Sequence, residues 1–600
     1  MMIKWKYTKI GVSLLLIIAL LSTCLLVQGA GSVMGEDVNW RDKISEDLLQ
    51  VMETAEEDEK IPVYVWTTDI DYDQVEREVE EETGLSRAAL QEEYQPISDK
   101  IRQLDDEQEM DAMLVQNSKD TKAQRFKEQE RMDRYITNRR DIAQNKYAEK
   151  NNNMVKKLAF PQEDILYASK YSPMIIVRLK KGQIEAICKN RGVERVRLYV
   201  EQEGSDSSSG SVVQSVEADY TKNTMGYDGS GVKIGMVEEY LPSKNYHITS
   251  GKVTHVAGGR ESSSHHALNV ACTILNTAPG AHIYATGIKD SSITQIIEKI
   301  EVLLAYDVSI INISWGLQRK SGTTSWYAAL EEWLDHICSV HEVTVVVAAG
   351  NAGYTHSNID VIGLAYNVIT VGAINDNDTG NVSSDDFLDP GSSYNNGGTA
   401  GCAKPDVMAP GNVYGDSGTS YAAPVVTGVI AQMQECRPAL KSNTRIVKAV
   451  LTAGCDRKVP GESMGGLTAI QGAGVINARK SMTVLTAGRY AAFHFEPNVR
   501  EITKNINITS ADEVIRIAYA WTRTNYPKNS HNVIGTVVAP YIDVNMYVYK
   551  PNGSEQGRSA IPTSSAELLH FIPNTYGTYR VKLTRSTNLS YKVWGALAWY

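Results

Sequence analysis

The chain has 600 residues, too many for one ordinary hydrophobic core, so it should divide into about two to four domains. Charged residues make up 22% and hydrophobic ones 42%, a globular balance that excludes a wholly disordered, collagen-like or polytopic membrane chain. Sixty Lys and Arg against 71 Asp and Glu give a net charge of -11, which leaves no electrostatic footprint for nucleic acid.

Lys4, Lys6 and Lys9 precede an apolar run from Ile10 to Val27, and Val27-Gln28-Gly29-Ala30 then supplies small residues of the kind that a signal peptidase accepts. Residues 1–30 are therefore expected to be a signal peptide, with the product secreted or at the cell surface; an uncleaved segment would instead anchor it in a membrane. The seven cysteines form no CxxC or Cys/His spacing that would hold zinc, so they read as small buried hydrophobes. No metal ligand set is predicted.

Residues 31–203 form the next unit. Asp and Glu crowd 36–115, and Lys and Arg crowd 121–157. From Leu85 to Lys157 there is no glycine and only Pro96, so this stretch is expected to be a solvated helical hairpin with opposite charges facing each other. Around it lie sheet-like Ile61 to Trp66, Met174 to Leu179 and Val193 to Val200, with a helical Gln183 to Asn190. These suit a small α+β unit carrying a helical insertion. Gly204 to Gly210 (GSDSSSG) reads as a flexible, cleavable linker.

In 204–485 apolar β-branched runs (Val232 to Val237, Val308 to Ile313, Val343 to Val347) alternate with helical patterns, which predicts an α/β domain built on a parallel sheet. In 486–600 the pattern changes to short alternating strands, such as Val544, Met546 and Val548 against Asn545, Tyr547 and Tyr549. That change predicts an antiparallel β-sandwich.

The sharpest local signal is Ser417-Gly418-Thr419-Ser420-Tyr421-Ala422-Ala423-Pro424 ahead of an apolar helical stretch. A serine at a helix start can present its oxygen to a carbonyl and draw on the helix N-terminus for developing negative charge; it can equally be a cap. Upstream, Val343 to Val347 runs into Ala348-Ala349-Gly350-Asn351-Ala352-Gly353, and His266-Ala267-Leu268-Asn269-Val270-Ala271-Cys272 opens another helical pattern. In this order the motifs resemble those of the subtilisin-like serine peptidases. The resemblance implies Ser420 as nucleophile, His266 as base, and the Asn351 side-chain amide as oxyanion donor. His265 breaks the spacing. Ile310 to Gly316 resembles the strand that pairs with extended substrate, so Ser314, Trp315 and Gly316, with Ala348 and Gly350, are expected to bind it. Trp315 would wall a pocket or else belong to the core. Ala352 offers no carboxylate, which favours an apolar side chain before the scissile bond.

The main departure is at the first strand, Gly231 to Val237, which ends in Glu238-Glu239-Tyr240 where the family pattern has Asp. A carboxylate one methylene longer can still accept the second imidazole hydrogen, so Glu238 is expected to complete a Ser-His-Glu triad. The reading is a self-processing zymogen acting on polypeptides, with residues 31–203 as propeptide and intramolecular inhibitor. No cofactor is required, and a structural calcium site is not readable. The alternative is a pseudoprotease, impaired at Glu238, that acts as a secreted binding or regulatory protein.

Overall fold

The computed structural model describes residues 40–92, 122–199, 203–205, 214–259, 265–288, 292–318, 329–353, 359–377, 386–396, 403–413, 417–456, 466–509, 511, 513–522, 542–561, 564–586 and 592–600. The expected signal peptide and residues 206–210 of the linker lie outside them.

The N-terminal unit contains helix α1 (Glu46–Thr54), strand β1 (Lys60–Thr67), helices α2 (Tyr72–Thr83), α3 (Arg87–Glu92) and α4 (Lys122–Lys157), strands β2 (Ile165–Ala168) and β3 (Met174–Lys180), helix α5 (Lys181–Cys188) and strand β4 (Val193–Leu198). The strands pair antiparallel in the order β2-β3-β1-β4. Period-two alternation on β1 assigns its faces. Ile61, Val63 and Val65 join Leu48, Ile184 and Ile187 in the unit's own core. Tyr64 and Trp66 face the other way, with Tyr171, Met174 and Ile176, and pack on the next domain.

The helical insertion is only half as expected. Arg139 to Glu76 (2.6 Å) and Lys146 to Glu78 (2.8 Å) do set opposite charges of α4 and α2 face to face. But α4 is not a solvated arm, because Tyr135, Arg139, Arg140, Ala143 and Tyr147 are all buried. The Arg140 guanidinium donates to the carbonyls of Val308 (2.9 Å) and His341 (3.4 Å). A helix rich in charge lacks a wide apolar stripe; here guanidinium groups reach the main-chain acceptors of the next domain instead.

Strand β5 (Glu203–Ser205) and helix α6 (Ala218–Asn223) lead into that domain. Its sheet contains β6 (Lys233–Glu238), β7 (Val253–Ala257), β8 (His282–Gly287) and β9 (Ile310–Ile313); a short β10 (Gly316–Gln318) stands apart. The sheet continues with β11 (Thr344–Ala348), β12 (Ile369–Asn375) and β13 (Phe387–Leu388). After a ribbon of β14 (Asn395–Asn396) and β15 (Ala403–Lys404), β16 (Val407–Pro410) completes it. The order is β13-β12-β11-β9-β6-β8-β7 with β16 beside β12, and every pairing but β12 to β13 is parallel. Both faces are covered, which is why these strands are near-continuous apolar runs. Helices α7 (His266–Thr277) and α10 (Thr419–Cys436) pack on one face, where Ile234 and Met236 point. Helices α8 (Ile293–Leu304) and α9 (Ala329–Val340) pack on the other, where Val237 points. Helices α11 (Thr444–Gly454) and α12 (Ala478–Thr486) follow α10.

The C-terminal region is the expected antiparallel sandwich. One sheet has the order β17-β24-β19-β22, from β17 (Tyr490–Phe495), β24 (Val593–Trp599), β19 (Ile515–Trp521) and β22 (Ala566–Phe571). The other has the order β18-β23-β20-β21, from β18 (Glu501–Ile508), β23 (Gly577–Arg585), β20 (Val544–Tyr549) and β21 (Glu555–Ser559). Cys188, Cys272, Cys338, Cys436 and Cys455 are buried and form no disulfide among the described residues. Among the described residues, no helix is long and apolar enough to cross a membrane, and no group of three or more His, Cys, Asp or Glu is placed to hold a metal ion.

Candidate active site

Every candidate residue lies at the carboxyl edge of the parallel sheet, the edge where α/β folds bind ligands. Strand β6 ends on Glu238, β9 runs into Ser314, and β11 runs into Gly350 and Asn351. Helices α7 and α10 begin at the same edge with His266 and, one residue in, Ser420.

Glu238 is buried at 1% exposure, and its Oε2 lies 3.0 Å from His266 Nδ1. With Nδ1 as donor, Nε2 is the ring nitrogen left to accept a proton, the tautomer that a general base needs. Tyr421, next to the serine, packs its ring 5.1 Å from the His266 ring. His265 is only the residue before the helix and caps it with no side-chain hydrogen bond. The longer acid therefore reaches the histidine that the spacing singled out. Its other oxygen, Oε1, is buried with no hydrogen-bond partner among the described residues, a penalty of about 1–3 kcal/mol.

Ser420 is 4% exposed, and its Oγ is buried without a hydrogen-bond partner among the described residues. Ser420 Oγ thus makes no hydrogen bond to His266, whose ring packs on the neighbouring Tyr421. The Asn351 amide is held by its oxygen: Oδ1 accepts from the Thr419 N–H (2.9 Å) and from the Thr419 hydroxyl (3.0 Å). A Cβ on Gly418 would meet Asn351 Nδ2 at 3.3 Å and Ser420 Oγ at 3.5 Å, so amide and hydroxyl border the same small space. The Gly350 N–H donates to Thr419 Oγ1 (3.0 Å), and Gly350 has φ +102, a conformation that a side chain would strain.

Strand β5, the end of the N-terminal unit, lies antiparallel on β10, with Gly316 opposite Ser205 and Gln318 opposite Glu203. The segment expected to pair with substrate is therefore occupied by the chain's own backbone. Trp315, 5% exposed, belongs to the core beneath α8 and α9. Asp360, which no motif singles out, stands between Gly316 and Gly350. The one available signal was a lone acid in the apolar run Ile359-Asp360-Val361-Ile362.

Residues 218–474, somewhat under half of the chain, match the model of the Subtilase family. Over 177 residues the chain is 30% identical to Subtilisin E of Bacillus subtilis (strain 168), a match covering 26% of this chain and 43% of that protein. Subtilisin J of Geobacillus stearothermophilus matches to the same extent. The chain thus spans 43% of the length of these curated relatives. Among solved structures, the epidermin leader peptide processing serine protease of Staphylococcus aureus is similar at 17% identity with a TM-score of 0.39, covering 56% of this chain and 95% of that one. A cold adapted subtilisin-like serine proteinase is similar at 20% identity and a TM-score of 0.32, over 42% of this chain and 89% of its own.

Proposed function

We propose that the protein is an exported serine endopeptidase, made as a zymogen, that hydrolyses polypeptides through a Ser-His-Glu triad. Ser420 Oγ attacks the peptide carbonyl while His266 Nε2 takes its proton. Glu238 accepts the Nδ1 hydrogen and stabilises the imidazolium, and Asn351 Nδ2 with the Ser420 N–H holds the oxyanion. His266 then protonates the leaving amine, which departs and leaves an acyl-enzyme on Ser420; an incoming water gives its proton to His266 Nε2 and attacks the acyl carbon, and the ester bond to Ser420 Oγ breaks as His266 returns that proton to it, releasing the carboxylic acid product. No step calls for a cofactor. The observation that carries this reading is the 3.0 Å contact of Glu238 with His266, beside the helix start that bears Ser420. The zymogen part, with a cut proposed between about Val200 and Gly210, is supported by β5 lying on β10.

The test compares wild type with Ser420→Ala by intact mass and by labelling with a serine-reactive fluorophosphonate. Wild type should yield two chains and take the label; Ser420→Ala should do neither, with turnover down about 10^6-fold, the scale known for a subtilisin. Glu238→Asp should keep activity that Glu238→Ala loses. A folded wild type that stays full length and unlabelled would instead support the pseudoprotease reading.

A further inference from the structure

Strands β9 and β11 are neighbours in the sheet, and beyond its carboxyl edge their chains separate as Ser314-Trp315-Gly316 and Ala348-Ala349-Gly350. Asp360 stands in the gap. A Cβ on Gly316 would come within 1.8 Å of Asp360 Oδ2, and one on Gly350 within 2.8 Å of its Cγ. The carboxylate thus occupies room that exists only because both walls are glycine. It is fixed from behind, since the Asp360 N–H donates to the Ala349 carbonyl at 3.1 Å.

This carboxylate has no hydrogen bond or ion pair to any described residue, in contrast to the buried Asp406 and Glu332. Asp406 is held by Lys404 and Lys448, and Glu332 by Arg195 and Arg197. Burial alone pushes the Asp360 carboxyl up to about 7. An acid left without a partner is unfavourable in a protein interior unless a cation offsets it. The side chain remains partly exposed, so a cation can reach it from outside.

The direction of the occupying strand says which group would arrive. Strand β5 runs antiparallel to β10 and reaches Gly316 with Ser205. A polypeptide bound in that register continues past Gly316 alongside Trp315 and Ser314, toward Ser420. One of its side chains then enters the gap between the two segments, where Asp360 waits.

We propose that Asp360 is the specificity-determining residue of the substrate pocket and selects Lys or Arg immediately before the scissile bond. This rests on the peptidase reading above, and it replaces the apolar preference expected from Ala352. Residues 198–221 contain no Lys or Arg, so the chain's own connector is a poor substrate for a second copy. Its cut depends on being held in place within one molecule, where proximity compensates for the missing contact.

The experiment has two arms, on the full chain. In the first, peptides that differ only at the residue before the scissile bond (Lys, Arg, Leu, Phe or Glu) are compared by kcat/KM. Lys and Arg should exceed Leu at least tenfold. Asp360→Asn should remove that preference, losing at least tenfold more on the Lys and Arg peptides than on the Leu peptide, and Asp360→Glu should keep part of it. In the second, p-aminobenzamidine fluorescence reads cation binding without catalysis. Wild type and Ser420→Ala should bind it, and Asp360→Asn should bind at least tenfold more weakly. Preference for Leu or Phe, equal loss on all peptides in Asp360→Asn, or equal p-aminobenzamidine binding by wild type and Asp360→Asn would each overturn the assignment. If the probe discriminates as expected while no peptide is cut and no fluorophosphonate is taken up, the cation pocket stands and the peptidase reading is what fails.

Discussion

Both flanking regions dock on the parallel-sheet domain through a β-sheet with two buried faces, yet they differ in what they add to the apolar contact. On the C-terminal side, β19 and β24 alternate large and small residues. Tyr519 and Leu597 fill the sandwich core, while Ala518, Ala520, Ala596 and Ala598 lie against the same core as Ala449, Val450 and Ala453 of α11. Arg516 seals this contact by donating to the carbonyls of Thr452, Ala453 and Ala473, where α11 ends. On the N-terminal side, Tyr64, Trp66 and Tyr171 cover α8 and α9. Arg195 and Arg197 meet the buried Glu332 there, and Tyr167, Ser169 and the Lys170 N–H donate to Glu301. Removing the sandwich would bare an apolar face. Removing the N-terminal unit would bare apolar side chains of α8 and α9 too, but among them carboxylates, imidazoles and carbonyls that water can serve. The difference teaches that one flank shares the domain's own apolar core, while the other adds a seam of buried polar contacts that water can replace.

The harshest way to break this comparison is truncation after Thr486. It should abolish soluble, monomeric expression by exposing the apolar side of α11; a soluble, monomeric product with unchanged melting temperature would show that the sandwich is no more integral than the N-terminal cover. Next in size, Arg516→Ala should cost about 2–4 kcal/mol, read from the urea midpoint, because it strands buried carbonyls at the end of α11. A change within 0.5 kcal/mol, on the order of a neutral surface substitution, would mean that the guanidinium seals nothing.

The smallest effect is a pH dependence of the cover. Burial lowers the pKa of His336 and takes His341 well below its ordinary value. The N-terminal unit lies on both, with Tyr147 Oη 3.1 Å from His336 Nε2 and the Tyr171 carbonyl 2.7 Å from His341 Nε2. The docked form then binds fewer protons than the separated parts below the ordinary histidine pKa of about 6.5, so docking weakens as pH falls through that value. Burial also pushes the Glu301 carboxyl up to about 7, which acts in the opposite direction, as one group against two. Net weakening should be roughly tenfold per pH unit below about 6.5. With a foreign protease site placed within 206–210 and cut, size-exclusion chromatography at pH 7.5 and at pH 5 checks it. Tighter association at pH 5 would reverse the assignment.

The sequence by itself determined the parts that depend on local rules. Period-two alternation marks the strands of the sandwich, and apolar runs mark the parallel strands. The ordered motifs around His266, Asn351 and Ser420 mark the functional edge, because a residue that ends a strand or opens a helix has its place fixed by the elements beside it. Even His266 rather than His265 could be chosen from spacing, since one residue turns a helix by about 100°.

What only the tertiary structure decided involves contacts between segments far apart in the chain. Whether Glu238 reaches His266 depends on how far β6 stands from the start of α7, and no spacing encodes that distance. That α4 is buried and not solvated depends on carbonyls of Val308 and His341, which lie more than a hundred residues away. Asp360 reads in the chain as one acid among 71 Asp and Glu. Its carboxylate finds room only because the two segments beside it carry Gly316 and Gly350. Local pattern fixes the direction of a side chain; its burial and its partner are fixed by whatever the fold brings up against it.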